Sequence, residues 1–329
     1  MEVTSVAAER FSKRLLEWHH QYNTRTLPWK GVKDPYKIWL SEVILQQTRA
    51  MQGLPYYLNF IEKWPNVNAL AAADDEDVFR VWQGLGYYSR CKNMLATARI
   101  IANEYGGVFP DRYIDIIALK GVGAYTAAAI ASFAFGLPHA VVDGNVYRVL
   151  SRYLGISDSI DTTHGKKLFT SVADKMLYEE DSAAYNQAIM DLGATVCTPA
   201  KPTCNSCPLQ TGCYAYRNDV INDLPVRTKK IVVKNRYFGY VVLECNDEIW
   251  LRKREAGDIW ENLFEPYLLE HTEPISTDWI KNALTQTEYK ESTIEYIGSE
   301  KQRLTHQLIH FYFFRIRLAE KLQIGRAHV

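Results

Sequence analysis

No run of about 18 uninterrupted apolar residues occurs in the 329-residue sequence, so none of its helices is expected to span a membrane. Excess charge is missing too: 38 basic residues balance 38 acidic ones, and the pI is near 7.1. Composition therefore announces no polyanionic partner, and any such contact must come from local patches. The first residues, MEVTSVAAERFSKRLLEW, carry charges where an export signal has its apolar stretch. The expected location is thus cytoplasmic, where thiols stay reduced. Cysteine is scarce, at six residues, and a disulfide framework is not expected. Internal repeats and low-complexity tracts are also lacking. What remains is a chain long enough for two domains, 47% hydrophobic, of globular composition.

Four of the six cysteines crowd into CTPAKPTCNSCPLQTGC, at Cys197, Cys204, Cys207 and Cys213. A structural zinc usually takes its ligands as two close pairs. Here only Cys204 and Cys207 form such a pair, and the run contains no histidine. A larger body wrapped by one returning loop suits the spacing better, as in iron–sulfur clusters held by four thiolates from short irregular runs. Zinc and a chance grouping of structural cysteines stay open as alternatives. Cys91 and Cys245 are isolated and read as ordinary structural residues.

From residue 1 to about 217 apolar residues recur at helical spacing, for example in FSKRLLEWHHQY, DPYKIWLSEVILQQTRA, YTAAAIASFAFG and SAAYNQAIMDLGATV. Residues 218–235, polar with basic side chains at 227, 229, 230 and 234, read as a linker. Beyond it the period changes to two: YFGYVVLE, EIWLRKR, FEPYLLE and IHFYFFRIRL are expected to be strands, with TDWIKNALTQT a helix among them. The expected organisation is a helical domain over 1–217 and an α+β domain over 236–323. The last six residues, IGRAHV at 324–329, match the in-frame translation of a common sequencing adapter. They read as a non-native tail, and the second domain is expected to be truncated.

LKGVGAYTAAAIASFAFG (119–136) is a Gly-x-Gly turn feeding straight into a helix. Gly121 and Gly123 allow close backbone approach, and the helix start offers N–H groups to an anion. This is a helix–hairpin–helix pattern suited to a DNA phosphate, although a plain glycine-mediated turn would look the same. Glu42 is the one acid in the apolar stretch WLSEVIL, where burial would keep it protonated. Asp143, after an apolar run and before a helix, reads on its own as an N-cap.

Together the hairpin, VDGNVYRVLSR (142–152) and the cysteine run resemble the endonuclease III superfamily of DNA glycosylases. WLSEVILQQTR (39–49) and GLGYYSR (84–90) make the chain similar to the MutY family of adenine DNA glycosylases. The resemblance is dense from about residue 22 to 216. It implies a mainly α, helix–hairpin–helix fold with a 4Fe–4S cluster on the four cysteines and a C-terminal MutT/Nudix-like domain. It implies excision of adenine mispaired with 8-oxoguanine or guanine in double-stranded DNA, by a monomer. Glu42 would protonate the base and Asp143 would stabilise the sugar cation, with Asn145 and Tyr125 positioning that carboxylate. Arg25, Leu27 and Trp29 would line the adenine pocket, while Gln47 and Tyr87 would fill the gap left by the flipped base. Gly121, Gly123 and Lys201 would meet phosphates.

Tyr125 stands where the superfamily's strand-cleaving members place a lysine, so a monofunctional glycosylase is expected; Lys120 is at the wrong offset. Gln187 stands where some relatives carry glutamate. In the C-terminal region LTH (304–306) matches the family's Phe-Ser-His loop, offering Thr305 and His306 to the lesion, but Leu304 replaces the aromatic. The glutamate-rich helix of a working Nudix enzyme is absent, so no pyrophosphohydrolase activity is expected. Two rivals remain: a strand-cleaving glycosylase/lyase of the endonuclease III kind, and a non-catalytic iron–sulfur protein that binds damaged DNA.

Overall fold

The protein is described by a computed structural model covering residues 4–228, 232–255, 257–261, 263–285, 287, 289, 292–304 and 306–318. The chain divides into two compact units, Met1–Lys229 and Lys230–Val329. Thr305 and the tail 324–329 lie outside the described residues.

The first unit is helical: α1 (Ser5–Tyr22), α2 (Pro35–Leu45), α3 (Ala50–Lys63), α4 (Val67–Ala71), α5 (Asp75–Trp82), α6 (Tyr88–Glu104), α7 (Tyr113–Ala118), α8 (Ala124–Phe135), α9 (Gly144–Leu154), α10 (Thr163–Met176), α11 (Ser182–Thr195) and α12 (Tyr214–Arg217). They surround two large hydrophobic cores, with a small cluster of Ala128, Ala129 and Val141 beside them. One is built from α2 to α8, around Trp39, Phe60 and Trp82. The other joins α1 to α9, α10 and α11, around Phe11, Phe169 and Leu192. The chain thus starts in the second core, builds the first, and returns.

Local chemistry accounts for the elements that matter most. Asp34 caps α2 by accepting from the Tyr36 amide at 2.9 Å, with Pro35 at the first helical position. Nearly every face of α2 is buried, and the small residues of α8 let the two helices pack side by side. The sequence pattern carries the α2 helix on to about residue 50, yet it stops at Leu45, and Gln47 takes a left-handed conformation (φ 57°). The turn between α7 and α8 needs Gly121: its φ is +75°, and a Cβ there would lie 2.8 Å from Asn93 Cβ. Gly123 has an ordinary φ and open space where a Cβ would go, so only the first glycine is sterically demanded.

Residues 218–228 of the expected linker are packed on the first unit instead. Leu224 is buried, the Leu224 and Ile221 carbonyls accept from Arg152, and the Ile160 amide donates to Val226. Polarity on the outer side hid this anchoring.

In the second unit β1 (Lys234–Cys245) is the central strand. It pairs antiparallel with β2 (Glu248–Ile249) and β5 (Tyr267–His271), and parallel with β7 (Gln307–Arg317). β6 (Ile294–Arg303) lies antiparallel along β7. A second small sheet pairs β3 (Arg252–Lys253) with β4 (Phe264–Glu265). EIWLRKR, expected as one strand, is divided between the two sheets. β6 was not expected as a strand, because its side chains are exposed on nearly all sides and show no two-residue period. The helix in TDWIKNALTQT is present as α13 (Thr277–Ala283), whose Ile280 packs with Val241, Leu243 and Phe314 on one face of the sheet. Phe238, Tyr240 and Phe311 form the core of the other face, and Leu304 leans against it.

Candidate active site

One cavity of about 1100 Å³ opens in the helical unit where its two cores meet. Glu42, Tyr125, Asp143 and Asn145 all line it. So do Arg25, Leu27, Trp29, Gln47, Gly121, Gly123 and Gln187. Glu42 arrives on α2 from one core, Tyr125 from the first turn of α8, and Asp143 from the N-terminus of α9 in the other core.

Glu42 is 8% exposed. Burial pushes its carboxyl up to about 7; the Tyr125 hydroxyl, facing the carboxylate, offsets part of this, and the charge of Asp143 adds to it. Tyr125 itself is held well above the ordinary phenol range by burial and by the two acids. Asp143 does cap its helix: Oδ1 accepts from the amides of Asn145 and Val146, both at 2.8 Å. Its Oδ2 accepts from Asn145 Nδ2 at 2.7 Å. Burial raises the Asp143 carboxyl, while these three donors and the Arg148 cation pull it down. N-cap and cavity acid are the same side chain.

Three residues outside the sequence expectations hold this arrangement. Arg148 Nη2 donates to Asn145 Oδ1 (2.8 Å) and to the Gly193 carbonyl (2.6 Å), and its Nε donates to the Cys197 carbonyl (2.7 Å). Gly193 is a close-approach position, since a Cβ there would sit 2.5 Å from Asn145 Cβ. Asp191, fully buried on α11, accepts from Arg25 (2.8 Å), Lys30 (2.5 Å) and Asn23 (2.8 Å). It thereby ties down the irregular segment 23–33, which forms one wall of the cavity. Trp29 pins the same wall from the other side by an edge contact with Tyr57, with ring centroids 5.2 Å apart. Asp191 shared the signal that singled out Glu42, a lone acid in an apolar helix. Arg148 carried none that local pattern could reveal.

Tyr87 is not among the cavity walls; it is 45% exposed, with φ 49°. Lys120 is exposed and also outside the walls, and the lysine that does line the cavity, Lys33, is exposed as well. Lys201 is exposed on the cysteine loop. His306 is exposed in the turn between β6 and β7, in the other unit.

The four cysteines of the loop are partly buried free thiols. Burial raises Cys204, Cys207 (to about 12) and Cys213, and the charge of neighbouring cysteines opposes ionisation further. Cationic and backbone groups brace the loop: Arg152 donates to Cys197 Sγ (3.5 Å) and to the Thr198 and Pro199 carbonyls. Among the described residues no group of three His, Cys, Asp or Glu side chains is arranged for a single metal ion. The donor set, four thiols of one loop beside a guanidinium, fits a polynuclear thiolate-bound cluster.

Residues 40–174 match the profile of the HhH-GPD superfamily base excision DNA repair protein. An adenine DNA glycosylase of Buchnera aphidicola subsp. Baizongia pistaciae is 35% identical over 303 residues, covering 91% of this chain and 84% of that protein. The chain belongs to the adenine DNA glycosylase (MutY) family. The mouse adenine DNA glycosylase is 41% identical over 226 residues, 66% of this chain and 43% of that protein. Among solved structures, a thermostable thymine-DNA glycosylase aligns with a TM-score of 0.59 at 29% identity, covering 64% of this chain and 97% of its own. The family fold is thus the mainly helical HhH-GPD glycosylase fold, followed here by a C-terminal sheet unit.

Proposed function

We propose that the chain is a monofunctional adenine DNA glycosylase, which removes adenine mispaired with 8-oxoguanine or guanine in duplex DNA and leaves an abasic site. One observation carries this reading: a buried acid whose pKa lies near 7 shares a cavity with a second carboxylate held by three hydrogen bonds. An acid that keeps its proton, facing a second, hydrogen-bonded carboxylate, is what cleavage of a glycosidic bond requires. Glu42 in its protonated form donates to N7 of the extruded adenine. The N-glycosidic bond breaks with its electron pair leaving on the base. The Asp143 carboxylate stabilises the positive charge developing at C1′, directly or by forming a covalent ester that water then opens. Water supplies the hydroxyl that completes the abasic sugar. Asn145 and Tyr125 hold the two acids in place, and the wall carrying Arg25, Leu27 and Trp29 encloses the base.

The strand is left intact because no amine occupies the place of Tyr125 at the start of α8, and Lys120 is not among the residues that line the cavity. DNA is engaged through the hairpin amides at Gly121 and Gly123 and through Lys201. Flipping costs a few kcal/mol of stacking and pairing, offset by Gln47 and Tyr87 occupying the gap. Cys197, Cys204, Cys207 and Cys213 would hold a 4Fe–4S cluster, whose contribution when bound is a rigid, charged brace for the loop carrying Lys201. The sheet unit would be a Nudix-like reader of the opposite base, with His306 and its neighbour Thr305 as contacts. Leu304, turned into the sheet core, supplies no stacking surface.

The test is a duplex with adenine opposite 8-oxoguanine, incubated with the protein and analysed with and without hot alkali. Breaks appearing only after alkali support the proposal. Breaks without alkali would favour the lyase reading, and no breaks the non-catalytic binder.

A further inference from the structure

Arg90, the first-turn residue of α6 whose role the proposed chemistry leaves open, reaches two loops at once. Its Nη1 donates to the carbonyls of Val43 (2.8 Å), Ile44 (3.0 Å) and Gln46 (2.6 Å) at the end of α2. Its Nη2 faces the carbonyls of Leu85 (3.5 Å) and Gly86 (3.4 Å). The guanidinium also lies 5.2 Å from the Trp82 ring and 5.5 Å from the Tyr87 ring. The first loop runs into Gln47 and the second into Tyr87. Both residues adopt φ near +50°, a conformation that side-chain-bearing residues seldom take unless their surroundings impose it.

A cation at the C-terminus of α2 is ordinary capping chemistry, since the last carbonyls of a helix lack partners inside it. Capping alone does not explain the second arm. A guanidinium has a planar fork that serves two sets of acceptors in fixed geometry, which an ammonium cannot do. Here the fork spans two loops whose apices are both exposed and both left-handed.

We propose that Arg90 is a positioning residue that sets the spacing between Gln47 and Tyr87 and so prepares the protein to hold an opened base pair. This rests on the glycosylase reading and on the role given there to those two residues. Arg90 touches neither the reacting base nor the sugar.

The test compares two duplexes: adenine opposite guanine, which must be unpaired, and adenine opposite an abasic site, which has no partner to lose. For Arg90→Met we expect kcat/KM on the first to fall ~100-fold, the scale of a small misplacement away from the chemistry. On the second it should fall no more than about threefold, because little unpairing remains to be assisted. Equal losses on both duplexes would reduce Arg90 to a folding residue and overturn the proposal, as would no loss on either. Should Arg90→Met fail to fold, Arg90→Lys is made in the wild type and in a Gln47→Ala/Tyr87→Ala background. Loss in the wild type with little further loss in that background supports the proposal, and full additivity sinks it. Wild-type protein that releases no adenine from either duplex would instead overturn the glycosylase reading itself.

Discussion

Arg148 fixes the amide of Asn145: its guanidinium donates to Oδ1 at 2.8 Å, which leaves Nδ2 to donate to Asp143 at 2.7 Å. The same guanidinium grips the Gly193 and Cys197 carbonyls, so the start of the cysteine loop and the carboxylate at the cavity share one cation. Arg148→Gln should lower the excision rate by about 10- to 100-fold, because the amide loses its orienting partner. Single-turnover kinetics would check this, with mispair affinity measured in parallel and expected to change little.

Glu42→Gln should abolish proton donation and slow adenine release by about 10²- to 10⁴-fold. Asp143→Asn should be at least as damaging, since it keeps the shape and removes the charge. Both variants should still bind a mispaired duplex. Turnover of Glu42→Gln at the wild-type rate would remove the acid from the mechanism.

Excision should depend on pH through Glu42. The donor is protonated below about 7, so activity declines as pH rises through that value. Stability follows the same sign. The folded pKa is raised from 4.5 to about 7, so the protonated side chain stabilises the fold below about 4.5, and this contribution is lost as pH rises to about 7. Shifted by that much, the acid makes the native state weaker at pH 8 by about 3 kcal/mol. Denaturation of Glu42→Gln at pH 8 should therefore show a more stable protein than the wild type, while it remains inactive.

Asp191→Ala should leave Arg25 and Lys30 without their shared anion inside the protein. Breaking a buried pair in this way costs about 3–5 kcal/mol, and the wall over 23–33 should loosen with it. The expected result is a lower melting temperature with a raised KM for adenine-containing duplex. An unchanged KM would separate Asp191 from the pocket.

Cys204→Ser should reduce bound iron and sulfide in the purified protein and expose the loop 197–213 to protease. Chelation of iron from the wild type should do the same. Proteolysis that is indifferent to iron would argue against a cluster bracing this loop.

Most helices could be read from apolar spacing, and several starts from their capping residues, because both are local properties of the chain. The end of α2 could not: nothing in WLSEVILQQTR marks a stop at Leu45, where Arg90 of a distant helix grips the last carbonyls. β6 escaped notice because an exposed strand has no buried face to impose a two-residue rhythm. The acids and cysteines at the site were legible as residue types that are costly or unusual where they stand. Their common target came from the family resemblance and not from the residues' own pattern, since Glu42 stands on a helix of one hydrophobic core and Asp143 at the start of a helix of the other.

The sequence by itself determined the inventory: a lone acid in an apolar helix, an acid at a helix start, a glycine turn and four clustered thiols. Only the tertiary structure decided that Glu42, Tyr125 and Asp143 face one cavity, and that Arg90, Arg148 and Asp191 hold its parts together. The physical reason is that propensity and capping act within a few residues, whereas a pKa near 7 and a guanidinium shared between loops arise only when distant segments exclude water together.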